Sequence, residues 1–192
     1  MCGIAVYAVL DGSSTQSGTE AVNESLKLLN NRGPDGSNIG VVESIGTPII
    51  LGHTRLAIVG NDNATQPLSW IINNRRFYLV HNGEIYNYND LKNNLIEDGD
   101  CDEEDFKTEG DSEVLLACLA HQGIKWTLDH IKGMFAFVLV ESSITPQEGK
   151  CVNKLIMSRD AFGIKPLCYA FDEKQENLFI CSEVQAIRLM EA

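Results

Sequence analysis

A cysteine follows the first methionine, in the run Met1-Cys2-Gly3-Ile4-Ala5-Val6-Tyr7. If Met1 is removed, Cys2 carries both a thiol and a free α-amine, a nucleophile and a base on one residue. An α-amine titrates near about 7.7–8.0 and a thiol near about 8.5, both close to neutral pH. A weak nucleophile needs an adjacent base, and an N-terminal amine is one known solution. Taken alone, Cys2 also reads as the ordinary second residue of a strand, so a site has to be completed from elsewhere in the chain.

Three stretches offer the other parts. In Gly52-His53-Thr54-Arg55-Leu56-Ala57-Ile58, the Arg55 guanidinium suits a bidentate carboxylate contact. A surface arginine with its stem packed on a sheet is the plainer alternative. In His81-Asn82-Gly83-Glu84-Ile85-Tyr86-Asn87, Asn-Gly ordinarily marks a hairpin turn. The Asn82 side-chain NH₂ and the unobstructed Gly83 N–H would also suit an oxyanion hole, and Glu84 would suit an ammonium group. Asp111, ahead of an apolar run, is either a helix N-cap or a second anionic ligand for a substrate amine. His53 or His81 paired with a cysteine would give a papain-like site, but no signature of that family surrounds any cysteine. The charged turn 158–167 reads as structural, with Arg159 and Asp160 pinning the loop.

These residues need rigid elements behind them. The apolar, β-favouring run 4–10 predicts a buried strand that would hold Cys2. A polar loop spans 11–18, and Thr19 caps a helix through residue 30 with Val22, Leu26 and Leu29 on one face. Arg32-Gly33-Pro34-Asp35-Gly36 stops that helix and turns the chain. Strands are expected at 38–42, 48–52 and 56–59. Residues 70–72 and 77–81 form a hairpin closed by Asn73-Asn74. Asn87 caps a helix over 88–96. A second helix covers 113–120, with Val114, Leu115, Cys118 and Leu119 inward. Further strands fall at 134–140, 155–157, 167–171 and 178–181, with a loop at 142–149 and a polar turn at 172–177. Strand following strand, rather than strict β-α-β alternation, predicts antiparallel sheets with helices on their outer faces, an α+β layer fold.

The 192 residues suit one domain. A net charge of −12 argues against a nucleic acid or an anionic membrane as partner, since both need a basic face. No apolar run approaches the length of a membrane span. The six cysteines include no Cys-x-x-Cys pair, so no zinc site is expected. Without a secretory signal they read as free thiols of a cytoplasmic protein. The stretch 97–105 holds seven acids in nine residues and reads as a solvated, disordered insertion.

One ordered set of motifs ties these pieces together. Cys2-Gly3-Ile4, Arg32-Gly33-Pro34-Asp35, His53-x-Arg55-Leu56-Ala57-Ile58, Gln66-Pro67-Leu68, Asn82-Gly83-Glu84-Ile85-Tyr86-Asn87, Asp111-x-Glu113, Gly133-Met134-Phe135-Ala136-Phe137 and Arg159-Asp160-x-x-Gly163-x-x-Pro166-Leu167 follow one another in this order, within a resemblance that spans about residues 2–187. The set resembles the glutaminase domain of glutamine-hydrolysing asparagine synthetases, which are class II glutamine amidotransferases among the N-terminal-nucleophile hydrolases.

The resemblance implies a four-layer αββα sandwich of two antiparallel sheets flanked by helices. It implies Cys2 as nucleophile with its α-amine as base, and Asn82 and Gly83 as the oxyanion hole. Arg55 would hold the glutamine α-carboxylate and Glu84 and Asp111 the α-ammonium, with Ile58 also at the substrate. Hydrolysis would pass through a γ-glutamyl thioester and supply ammonia for asparagine biosynthesis. This domain would need no metal or cofactor; ATP and Mg²⁺ would belong to a synthetase domain or partner subunit, and a homodimer is compatible with the family. The alternatives are a catalytically silent regulatory or interaction domain of the same fold, and a hydrolase of another amide. Two departures stand out: no Ser-Gly-Gly-x-Asp-Ser pyrophosphate loop occurs, and Cys168 stands where the family usually has tyrosine.

Overall fold

The computed structural model describes residues 1–9, 15–42, 48–58, 64–144, 154–172 and 177–190. Its elements run β1 (Gly3–Val9), α1 (Thr15–Leu29), β2 (Gly36–Val42), β3 (Ile49–Arg55), β4 (Leu68–Ile72), β5 (Arg75–Ile85), α2 (Tyr88–Glu97), a 3₁₀ turn (Glu103–Asp105), α3 (Asp111–His121), α4 (Gly123–His130), β6 (Gly133–Ser143), β7 (Lys154–Arg159), β8 (Cys168–Phe171), β9 (Asn177–Cys181) and α5 (Val184–Met190).

The strands form two antiparallel sheets, ordered β2-β3-β1-β9-β8 and β4-β5-β6-β7. Three apolar layers separate four layers of structure. Val22, Leu26 and Leu29 of α1 pack with Ile187 of α5 on the first sheet. Leu91, Leu95, Val114, Leu115 and Leu119 of α2 and α3 pack on the second. Between the sheets lie Ile4, Val6, Leu51, Val80, Val138 and Ile180, among others. This is the expected αββα sandwich. Strands such as β6 are covered on both faces, which is why they read as unbroken apolar runs instead of alternating ones.

The hairpin closes as the sequence requires. Ile72 pairs with Arg75, and Asn73 and Asn74 both take positive φ, the conformation of a type I′ turn that asparagine tolerates.

Several local expectations are corrected. α1 begins at Thr15, a turn before Thr19, whose hydroxyl donates to the Thr15 carbonyl inside the helix. Its Gly18 lies beneath Tyr7, where an added Cβ would sit 2.4 Å from the ring. Residues 56–58 are not a strand, because β3 ends at Arg55 and Ile58 is exposed. Asn87 does not cap α2 with its side chain; it bridges to the His130 carbonyl and the Lys132 N–H. The acidic stretch is ordered. Cys101 is buried within it, its sulfur 3.4 Å from His121 Nε2, and Lys92 pairs with Glu103. β6 runs on through Ser143 into the expected loop. Leu10 of the first predicted strand, residues 11–14 of the first loop, Val59, residues 145–149 and residues 173–176 of the last turn lie outside the described residues. Two helices, α4 and α5, have no counterpart in the sequence reading.

Candidate active site

Side chains alternate across a strand, so parity decides which residues face the gap between the sheets. On β1, Ile4, Val6 and Ala8 point into that gap, and Cys2 has their parity. On β3, Ile49 and Leu51 do so, and His53 and Arg55 follow. On β5, Tyr78 and Val80 do so, and Asn82 and Glu84 follow. The inter-sheet core therefore turns from aliphatic to polar at one end. There Cys2, Arg55, Ile58, Asn82, Gly83, Glu84 and Asp111 line one recess of about 590 Å³, counting its open mouth. Every site residue expected from the sequence is brought together. Met1 lies on the rim, and Ile58 stands there 71% exposed.

The chain end is gripped, not frayed. Ile4 N–H donates to Ser182 Oγ (2.9 Å), and Ser182 N–H to the Ile4 carbonyl (2.9 Å). Arg32 donates through Nε to the Cys2 carbonyl (3.0 Å) and through Nη1 to Glu183 (3.0 Å). Gly33 passes so close to β3 that a Cβ would lie 2.5 Å from the Thr54 carbonyl. Asp35 then donates its N–H to the Arg55 carbonyl and accepts the Ala57 N–H (2.8 Å). Residues 32–35 thus do more than stop a helix; they hold Cys2 and the end of β3 in one grip. The sequence reading missed this, as it missed Ser182.

The open edge of β5 forms the opposite wall. β4 stops pairing at Leu79, leaving the N–H groups of His81, Gly83 and Ile85 on one free edge. Gln66 Oε1 accepts the His81 N–H and Asp111 Oδ2 accepts the Ile85 N–H (2.8 Å). The Gly83 N–H, two residues from each, projects from the same edge into the recess. Glycine is required here: a Cβ would lie 2.3 Å from the Met134 carbonyl oxygen. Beside it the Asn82 amide is 1% exposed, and neither its Nδ2 nor its Oδ1 has a partner among the described residues. Among the described residues, the Asn82 amide thus faces the recess without a partner, with the Gly83 N–H on the free edge beside it. Gly110, not Asp111, is the N-cap of α3, and Asp111 is its first helical residue.

Electrostatics narrow the choice of base. Burial pushes the Cys2 thiol up, with the Leu56 N–H (3.4 Å) opposing it, so sulfur needs a base to become a thiolate at neutral pH. Burial holds His53 and His81 down at about 3, and each imidazole has one nitrogen engaged elsewhere, while the buried His81 Nε2 has no partner among the described residues. His53 Nε2 bonds the His81 carbonyl (3.1 Å), and His81 Nδ1 meets Ser112 Oγ (2.8 Å). This disfavours a cysteine–histidine pair. Burial also raises Asp111, opposed by its bond from Ile85.

A glutamine amidotransferase domain model matches residues 1–192. The chain is 36% identical over 162 residues to asparagine synthetase B [glutamine-hydrolyzing] of Escherichia coli, covering 84% of this chain and 25% of the relative. It is 30% identical over 190 residues to asparagine synthetase [glutamine-hydrolyzing] 3 of Bacillus subtilis, covering 97% of this chain and 27% of that one. It therefore spans about a quarter of the length of these relatives. Among solved structures, the glutamine phosphoribosylpyrophosphate amidotransferase of B. subtilis superposes with a TM-score of 0.72 at 22% identity, over 97% of this chain and 43% of the other, a likeness of fold.

Proposed function

The chain belongs to the glutamine amidotransferase domain family, and from that premise we propose that it releases ammonia from L-glutamine through a γ-glutamyl thioester on Cys2. The observation that carries this reading is the unpartnered Asn82 amide beside the open Gly83 N–H, in the recess that Cys2 lines. With Met1 removed, the Cys2 α-amine takes the thiol proton and sulfur attacks the amide carbon. The oxygen's new negative charge settles between Asn82 Nδ2 and Gly83 N–H. The protonated amine then gives its proton to departing ammonia, and water cleaves the thioester by the same route in reverse. Arg55 holds the α-carboxylate, Glu84 and Asp111 the α-ammonium, and Ile58 flanks the substrate at the rim.

The relatives' length supports a second part to the system: an ATP- and Mg²⁺-dependent synthetase domain or subunit that consumes the ammonia for amide formation, in the cytoplasm. Exposed Phe162 and Ile164, with Tyr169 and Phe171 on β8, suit a face against which that part docks. The assay is direct. The 192-residue chain should form glutamate and ammonia in equal amounts, with a quenched γ-glutamyl adduct on Cys2. It should form no asparagine from aspartate, ATP and glutamine. Asparagine formation would overturn the division of labour, and absence of hydrolysis would favour a silent domain.

Arg55→Ala is expected to raise KM by roughly 10- to 100-fold with kcat little changed, from the about 1.5–3 kcal/mol of a charged hydrogen bond. A carboxylate contact is made equally in the ground and transition states, so its loss appears as binding. Steady-state kinetics with glutamine decide this, and a fall confined to kcat would reassign Arg55.

A further inference from the structure

Outside the recess, two cysteines face each other. Cys168 on β8 and Cys181 on β9 are directly opposed in the antiparallel ladder. The Asp172 N–H to Asn177 carbonyl bond makes this a hydrogen-bonded pair of the ladder, with Cα atoms about 5.5 Å apart, within the about 4.4–6.8 Å that a disulfide spans. Directly opposed side chains share a sheet face. Here both pack in the layer beneath α1 and α5, near Ala186 and Ile187. Both thiols are free; Cys181 is buried and Cys168 half-buried. Cys168 is the more exposed residue of the two, and Cys181 stands directly across from it.

We propose that Cys168 and Cys181 are a reversible thiol–disulfide pair, closed by a low-molecular-weight disulfide such as glutathione disulfide. The Cys168 thiolate attacks one glutathione sulfur, forming a mixed disulfide and expelling one glutathione thiolate. The Cys181 thiolate then attacks the Cys168 sulfur and expels the second glutathione. Two protein thiols are oxidised and one glutathione disulfide is reduced to two glutathiones, the two protons passing to them. Burial holds the Cys181 thiol at about 11, so the second step waits on a scarce thiolate and quickens about tenfold per pH unit below that value. Closure would fasten the edge strand β8 to β9, which pairs with β1 at Ala5 and continues into Ser182, the residue that holds Ile4.

The test is peptide mapping of the folded chain. After incubation with glutathione disulfide at pH 7 and pH 9, the protein is unfolded, alkylated and digested with trypsin. Cys168 falls in peptide 160–174 and Cys181 in peptide 175–188. The expected product is one joined peptide, two hydrogens lighter than the sum of its parts. It should form faster at pH 9, separate with dithiothreitol and be absent from Cys168→Ser. Full alkylation of Cys181 after oxidation at pH 9 would overturn the proposal, as would its linkage to any cysteine but Cys168. The readout is independent of glutamine turnover, so it stands or falls apart from the catalytic reading.

Discussion

Cys2→Ala is expected to lower glutamine turnover by about 10⁶-fold, the scale seen when a covalent hydrolase loses its nucleophile. The fold should survive. The substitution removes one half-buried sulfur, whereas the grip on the chain end is made by the Cys2 carbonyl and the Ile4 backbone, which alanine leaves in place. Glutamate release and thermal melting, measured on the same preparation, separate the two effects. The other five cysteines should be replaceable singly with turnover retained. Intact mass supplies the companion measurement: the active protein should begin at Cys2. Full activity in a chain that keeps Met1 would remove the α-amine from the mechanism, because residue 2 would then carry an amide.

Asn82→Ala should lower kcat by about 10²–10³-fold, as loss of an oxyanion donor does elsewhere, with KM nearly unchanged. The structure adds a second expectation of opposite sign. Neither atom of the buried Asn82 amide has a partner among the described residues, so its removal breaks no protein hydrogen bond. Removing it should therefore leave the melting temperature unchanged or raise it. Loss of rate together with gain of stability is the mark of a group kept for chemistry. A destabilised variant with normal kcat would instead make Asn82 a structural residue.

The sequence made the layers legible because burial writes regular patterns. The apolar run of β1, the inward positions of α3 and the Asn73-Asn74 turn each carry a local signal with a mechanism. α4 escaped because it is only eight residues long and opens on Gly123, a poor helix former. The first turn of α1 escaped because Gly18 is a poor helix former that is there to admit Tyr7. The acidic stretch looked disordered because its composition says nothing of Cys101, whose partner His121 comes from another element. The site residues were legible by type and by resemblance. Those that brace them were not: the partners of Arg32 and Gln66 are far away in sequence, and one long-range contact leaves no periodic trace.

Among the described strands, β1 leaves the ribosome first and β9 last, yet the two are neighbours in the sheet. A nascent chain that has reached residue 170 already contains Cys2, Arg55, Asn82 and Asp111. It lacks the strand that flanks β1, the Ser182 hydroxyl that receives the Ile4 amide, and the Glu183 carboxylate that steadies Arg32. The nucleophile is thus synthesised first and seated last. Pairing across such a separation is slow to nucleate, because the intervening chain must first be ordered. Glutamine cleavage is accordingly expected to begin only after translation passes residue 183, so ribosomes stalled earlier would carry an inert thiol and consume no glutamine.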